Sequence, residues 1–552
     1  MKTKTAIAAV LPLLAAVFAI SACSATPTAP STGPATGANP SGGTGQAITF
    51  ALQNTPDGID PTVTNNSFAM PILDNAFEGL VTYSTTDGSL IPGQAASWDI
   101  SADGLTYVFH LRPGLKWSDG SPLTAQDWVN TAERILTPST AAQYLNLYTD
   151  YVVGAQEYYD DPTTAAGLGI VATDDTTLTI SLKAPTPFFI DILGMWAWDP
   201  IQKATIDANG DQWTNSAATY VSNGPFTMTD IKLNDAYVLA KNPNYWNAAN
   251  VKLDQLTFKM IPDSSTALTA YKNGEIDGQL TVPPSDIAQL KTSGQGLVVT
   301  PAYATTFFDI NDAKAPYDNP LVRKALNLAI DRNSIINDVL QNGGTPAFSV
   351  LPPGYVVGGT DFAAGRSNFD LSATADPDAA KQALSDAGYP DGQGFPTLQL
   401  SYYTDNSAKL MTEAIANQLQ TNLGIKVQIS NQDWAVYYAD IQAGNYDVAA
   451  MGWSADYFHP MTFLQLLQTG NINNNVFYSN PLYDQLVVQA QSETDPAKAM
   501  ALMQQADALA SADYPVMPIF YRANMMLISP KVQGVYRDVL GNLYFSAATV
   551  TS

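Results

Sequence analysis

Cysteine is nearly absent from this chain. Cys23 is the only one in 552 residues, so no intrachain disulfide can staple the fold. Histidine is almost as scarce, at His110 and His459. No HExxH run exists, and zinc sites need a closer His, Cys or carboxylate cluster. Basic residues are few: 25 Lys plus Arg stand against 50 Asp plus Glu, for a net charge of −25. Contacts to nucleic-acid phosphates need clustered Lys and Arg, so nucleic-acid binding is disfavoured and the acidic surface reads as a solubility feature. There is also no GxxxxGK[ST] loop for phosphates and no GxSxG elbow for a serine hydrolase. The glycine-rich "DGQGFP" near Gly392 is a turn, not a dinucleotide fingerprint. The acid pairs Asp160-Asp161 and Asp174-Asp175 sit in loop-like surroundings and read as solvated turns. No catalytic residue, cofactor or metal is expected from this inventory, and the chain does not read as an enzyme.

Long apolar runs are missing everywhere except the N-terminus. Lys2 and Lys4 precede an apolar stretch from Ala6 to Ile20, too short to span a bilayer and suited to a signal-peptide core. It ends in "ISAC", Ile20 to Cys23. That pattern resembles the bacterial lipobox, which implies a signal peptide over 1–22 and lipidation of Cys23 as the mature N-terminus. Residues 23–46 are almost wholly Ser, Thr, Pro, Gly and Ala, without a charge. Such a segment buries too little apolar surface to offset its ordering entropy and reads as a flexible tether. An anchored protein on the extracytoplasmic face of the cell membrane is the expectation.

The body that follows, roughly 500 residues, is large enough for several structural parts. Asp103-Gly104 is a hairpin turn signal. Tyr107, Phe109 and Leu111 then alternate as in a strand, and Pro113-Gly114 ends it. Thr124 with Asp127 predicts a helix N-terminus, with Trp128, Ala132, Ile135 and Leu136 inward. Asn319-Pro320 opens another helix and Asp331 a further one, which Gly343-Gly344 is expected to stop. His110 lies in the alternating strand and reads as structural; His459 precedes Pro460 in a loop. No fixed-period repeat occurs. Mixed α/β with several lobes is the fold class.

One stretch asks for a partner. In "MGWSADYFHP" (451–460), a strand-like run leads to Asp456 beside Trp453 and Tyr457. A buried carboxylate is costly unless a cation or hydrogen-bond donor meets it. Either the protein supplies one or a ligand does.

Five stretches, taken in order, carry a family resemblance. They are "GLTYVFHLRPGLKWSDGSPLTAQDWV", "SNGPFTM" (222–228), "KNPNYW" (241–246), "VRKALNLAIDR" (322–332) and "GWSADYFHPMTFL". Together they resemble the oligopeptide- and dipeptide-binding proteins of ABC importers, across about residues 48–540. The resemblance implies a two-lobed periplasmic-binding-protein-like α/β fold with an extra inserted domain and a hinge between the lobes. Lobe I would comprise 46–82, 222–305 and 525–552, the inserted domain 83–221, and the second lobe 306–524. The hinge would fall near 305–309 and 521–524. The implied activity is capture of peptides, short oligopeptides in particular, and delivery to ABC permease subunits by a monomeric, lipid-anchored receptor.

The resemblance also assigns residues. Asp456 would meet the peptide ammonium, Trp453 would wall a side-chain pocket, and the backbone around Gly452–Ser454 would bond the peptide as an added strand. Tyr457 is either a pocket wall or packing. A turn-capping role for Asp456 stays open. Arg323, Lys324, Arg332, Lys409 and Arg522 are candidates for the ligand's far end by charge alone, the first three on helices where exposure is expected. A sugar receptor lined by Trp196, Trp198 and Trp453 is the alternative within the fold; a secreted hydrolase is more distant.

Overall fold

The computed structural model describes residues 46–551 except 57, 65–67 and 85–88. The signal segment, Cys23 and the tether up to residue 45 lie outside the described residues.

Alternating apolar residues build two main sheets. The smaller has four antiparallel strands in the order Ala95–Ile100, Thr106–Leu111, Thr177–Ser181, Ile170–Asp174. Its second strand buries Tyr107, Phe109 and Leu111 and turns Thr106, Val108 and His110 outward, as a period of two requires. Gly104, at φ +70°, makes the hairpin turn before it. The helix Ala125–Ile135 packs on this sheet. Its Thr124–Asp127 capping box is formed, with the Thr124 N–H donating to Asp127 Oδ2 at 2.8 Å.

The larger sheet has eleven strands and positions the site. Its order runs Val427–Gln432, Leu398–Tyr403, Val448–Ser454, Leu297–Ile310, Val516–Ile528, Gly278–Gln279, Ala47–Leu52, Gln255–Met260, Ala236–Lys241 and Phe226–Lys232, with Thr345–Pro346 also on Val516–Ile528. Two long antiparallel strands, Leu297–Ile310 and Val516–Ile528, form its middle and join the two halves. Helices Pro320–Leu328, Pro377–Asp386 and Asn406–Leu423 bury an apolar core against the half that carries Leu398–Tyr403. Burying a single Leu, Ile or Phe in such a core contributes about 1.5–3 kcal/mol.

Two expectations need correction. Arg323 and Arg332 are on helical segments but are not exposed; they retain 3% and 1% of their surface. Arg323 pairs with Asp312 and donates to the Asp513 and Tyr317 carbonyls. Arg332 donates to the carbonyls of Pro518, Asn327, Ile330 and Ser372. A guanidinium has five donors, and here carbonyls of the helix itself, of the turn beside it and of the Val516–Ile528 strand accept them. The second helix also stops earlier than Gly343-Gly344. It ends at Leu340, where Gln341 takes the left-handed conformation at φ +49°.

Candidate functional site

The middle strands do not pair along their whole length. Leu297 to Pro301 pair with Leu527 to Ala523, and pairing resumes only at Thr305↔Tyr521. In the gap, Tyr303 N–H donates to Val539 O at 2.8 Å, and its carbonyl accepts from Ala455 N–H at 2.7 Å. Ala302 and Ala304, both small, therefore floor an opening rather than fill it. A cavity of about 450 Å3 lies there, within the range usual for small-ligand sites. Its lining includes Tyr144 and Trp196, Asp74 and Arg537, and Ser454, Asp456 and Arg522.

Asp456 reaches this wall because the chain leaves the Val448–Ser454 strand and turns. Thr462 fixes the turn. Its hydroxyl accepts from Asp456 N–H at 3.0 Å and Trp453 Nε1–H at 3.4 Å. Its own proton goes to Asp456 Oδ2 at 3.3 Å. No cation pairs with Asp456 among the described residues; its neighbours are the tyrosines Tyr144, Tyr151, Tyr355 and Tyr457. Burial pushes its carboxyl up to about 7, with the Thr462 hydrogen bond pulling the other way. A carboxyl in this state is half-ionised near neutrality and would gain fully from a cation brought into the cavity.

The strand beside it has an open edge. Val448–Ser454 pairs fully with Leu297–Ile310 on one side, but with Leu398–Tyr403 only at Leu400↔Val448 and Ser401↔Ala449. From Met451 to Ser454 no strand covers that second edge among the described residues. An extended chain can be hydrogen-bonded there as an added strand.

The family model described as "Bacterial extracellular solute-binding proteins, family 5 Middle" matches residues 89–475. The chain belongs to this family. It is 34% identical over 472 residues to the periplasmic oligopeptide-binding protein OppA of Escherichia coli, covering 85% of this chain and 86% of the relative. The crystal structure of a periplasmic oligopeptide-binding protein, OppAIV of Borrelia burgdorferi, matches with a TM-score of 0.79 at 33% identity, over 92% of this chain and all of that one. Haemophilus influenzae OppA, solved in complex with RPPGFSPFR, matches at 0.77 and 31%, over 92% and all of that chain. The two-lobed binding-protein fold expected from the sequence is the fold these relatives share.

In this family-5 protein only one of the five sequence motifs reaches the cavity. The first three lock together elsewhere around Glu78. Its carboxylate accepts from Tyr245 O–H, Trp246 Nε1 and Gln94 Nε2, and Arg112 lies 3.6 Å over the Trp246 ring. Asn223 exchanges hydrogen bonds with the Glu78 backbone, and Gly224 approaches Ala76 so closely that a Cβ would lie 2.6 Å from its carbonyl carbon. The fourth motif holds the buried Arg323 and Arg332.

The remaining candidates separate. Ser454 and Asp456 line the 450 Å3 cavity. Gly452 and Trp453 line a much smaller one of about 20 Å3, beside Phe307 and Asp309. Tyr457 is buried, bonded to Gln465 Oε1 at 2.8 Å and stacked on Phe188. His459, half-buried, stacks on Phe188 at 4.7 Å, and desolvation holds its ring down at about 3. The three tryptophans are dispersed: Trp196 faces the larger cavity, Trp453 the smaller, and Trp198 stacks on Tyr148 at 3.9 Å in the core. Lys324 and Lys409 make ion pairs with Asp370 and Glu413 on the surface. Asp74, Tyr144 and Arg537 are cavity residues that sequence reasoning missed. Asp74 lies inside the helix Met70–Ala76 with no local signature, and its carboxylate accepts from Leu543 N–H, 469 positions away.

Proposed function

We propose that this chain is the extracytoplasmic receptor of an ABC importer that captures peptides by their free amino end and passes them to the permease. One observation carries the reading: Asp456, a carboxylate with no cation partner among the described residues, lines the cavity, and the strand that leads to it keeps an open edge. An α-ammonium supplies the missing charge, and the edge from Gly452 to Ser454 supplies main-chain bonds that any sequence can make. The relatives named for oligopeptide binding, one solved with RPPGFSPFR, support the same ligand class. Trp453 would bound a side-chain pocket next to this edge, and Tyr457 would hold the turn from behind.

The division into lobe I, an inserted domain and a second lobe is part of this proposal. Leu297–Ile310 and Val516–Ile528 are the long strands that join the two halves of the large sheet, and the break in their pairing before Thr305↔Tyr521 supports a hinge near 305–309 and 521–524. Closure about it would sequester the peptide. Membrane attachment through lipidated Cys23 completes the reading; no helix of the described residues is long and apolar enough to cross a membrane. Binding without turnover is expected. A sugar groove is disfavoured by the dispersal of Trp196, Trp198 and Trp453.

Mass spectrometry of ligands released from the purified protein tests this. Short peptides are expected. Thermal unfolding with a peptide library and a sugar panel adds a second readout: a ligand at about 100 times its dissociation constant should stabilise the protein by roughly 2.7 kcal/mol. Sugars that copurify and stabilise, with peptides inert, would overturn the proposal.

A further inference from the structure

The cavity holds a second carboxylate, for which a peptide's amino end has no use. Asp74 stands in the last turn of the short helix Met70–Ala76, half-buried, and lines the cavity together with Met70 and Pro71. Its Oδ2 accepts from Leu543 N–H at 2.9 Å. Among the described residues its Oδ1 accepts no hydrogen bond, and no Lys or Arg pairs with it. The cavity arginines are directed elsewhere. Arg537 Nη1 donates to Met525 O at 2.7 Å with Asp538 beside it, and Arg522 Nε donates to Thr306 Oγ1 at 2.8 Å.

The surroundings of Asp74 are themselves acidic. Desolvation pushes its carboxyl well above the usual range, the Leu543 N–H pulls the other way, and Asp538 and Asp199 push it further up. The helix C-terminus adds negative potential of its own. Accepting the Leu543 N–H does not account for a carboxylate here, since an asparagine would accept it with no charge to desolvate. A second group points the same way. Tyr83 keeps 4% of its surface, its hydroxyl has no hydrogen-bond partner among the described residues, and Asp74 is one of the carboxylates near it. That hydroxyl stands directly behind Gly194, a lining residue of the cavity, where a Cβ would lie 2.6 Å from Tyr83 Oη.

We propose that Asp74 receives a second cation of the ligand, the side chain of a lysine or arginine, so that the receptor favours basic peptides over neutral ones of the same size. The inference rests on the peptide reading above and adds a side-chain preference and the residue that sets it. Asp456 and Asp74 line one cavity from separate elements, so one ligand can engage both through different groups. Main-chain bonds along the open strand edge are blind to sequence. A charge-assisted bond to a desolvated carboxylate is not, because a neutral side chain leaves Asp74 as it stands in the free protein.

Isothermal calorimetry tests this with alanine tri- and pentapeptides that carry lysine, acetyl-lysine or norleucine at each of the first three positions. N-acetyl trialanine serves as a control for the amino end. At one position or more, lysine should bind the wild type about tenfold or more tighter than norleucine, the scale of one charge-assisted contact. Acetyl-lysine, which keeps the length and loses the charge, should bind like norleucine. Asp74→Asn, which keeps an acceptor for Leu543 N–H, should bind the lysine and norleucine peptides alike. The acetyl-lysine and norleucine arms use the wild-type protein, so they stand if the variant fails to fold. Lysine no tighter than norleucine at every position, or a preference that survives Asp74→Asn, overturns the inference. If lysine is not preferred while acetylating the amino end still weakens binding, the side-chain preference falls and the peptide receptor survives; if no peptide binds, both fall.

Discussion

Arg522 lies across Gly452 on the cavity face of the large sheet. A Cβ at position 452 would overlap Arg522 Nη2 and sit 2.7 Å from the Thr305 carbonyl oxygen. The side chain could swing away; the backbone carbonyl could not. Gly452→Ala should therefore cost about 1–3 kcal/mol of stability, the range for overpacking. Denaturant unfolding checks this; unchanged stability would show that the two strands separate more easily than their register implies.

Asp456 makes binding depend on pH. Its carboxyl is pushed up to about 7 by burial, above its unfolded value near 3.9. Between those values the folded state binds more protons than the unfolded state. The contribution of Asp456 to stability is thus greatest below about pH 4 and is lost as pH rises towards 7. A bound ammonium favours the carboxylate and reverses the preference. Peptide affinity should rise by up to tenfold per unit from about pH 5 to 7, then fall once the peptide's amine deprotonates near pH 8. Calorimetry in buffers of different ionisation heat should read close to one proton released per peptide at pH 6. Asp456→Asn should abolish that release, and a wild type that releases none would contradict the assignment.

Asp60 is a structural node remote from the cavity. Its Oδ1 accepts from Thr62 N–H and Oγ1–H, and its Oδ2 from Arg134 Nη2 and Trp213 Nε1, both at 2.9 Å. Asp60→Ala should destabilise the protein by about 3 kcal/mol, because it strands a mostly buried guanidinium and an indole N–H. The folded fraction should bind peptide as before. A loss under about 1 kcal/mol in denaturant unfolding would show that Asp211, which also approaches Arg134, takes over the pair.

Cys23→Ser should release the protein from the membrane into the medium or periplasm, by cell fractionation. Limited proteolysis in the uncharged stretch after Cys23 should free a body that still binds peptide. Membrane retention of the variant, with an unmodified wild-type N-terminus, would remove the anchor.

Local elements were legible because local rules decide them. The alternation at Tyr107, Phe109 and Leu111 and the Thr124–Asp127 box need only neighbouring residues, and both formed as read. Asp456 could be singled out because a carboxylate follows an apolar strand within its own stretch. Arg522 could be named by charge, but nothing placed it over Gly452. That position follows from the register of three strands drawn from a span of more than 200 residues, beside a break in pairing at Ala302–Ala304. Arg323 and Arg332 misled for the same reason. Helical periodicity predicts a face, while the carbonyls that draw these guanidiniums inward come partly from the residues beside the helices and partly from Asp513, Pro518 and Ser372, far away in sequence. Trp453 and Tyr457, within three residues of Asp456 in sequence, do not line the larger cavity, whereas Ser454, Ala455 and Asp456 do.

The contact between Asp456 and a peptide ammonium is the centre of this account, and one affinity cycle tests it most directly. Binding of a free-amine tripeptide and its N-acetyl form would be measured on the wild type and on Asp456→Asn, which keeps the shape and removes the charge. Either single change should cost about 2–5 kcal/mol, because each leaves the other charge buried and unpaired. Both together should cost much less than their sum, since each removes the same pair. A wild type indifferent to acetylation, with Asp456→Asn binding both forms equally well, would contradict the account.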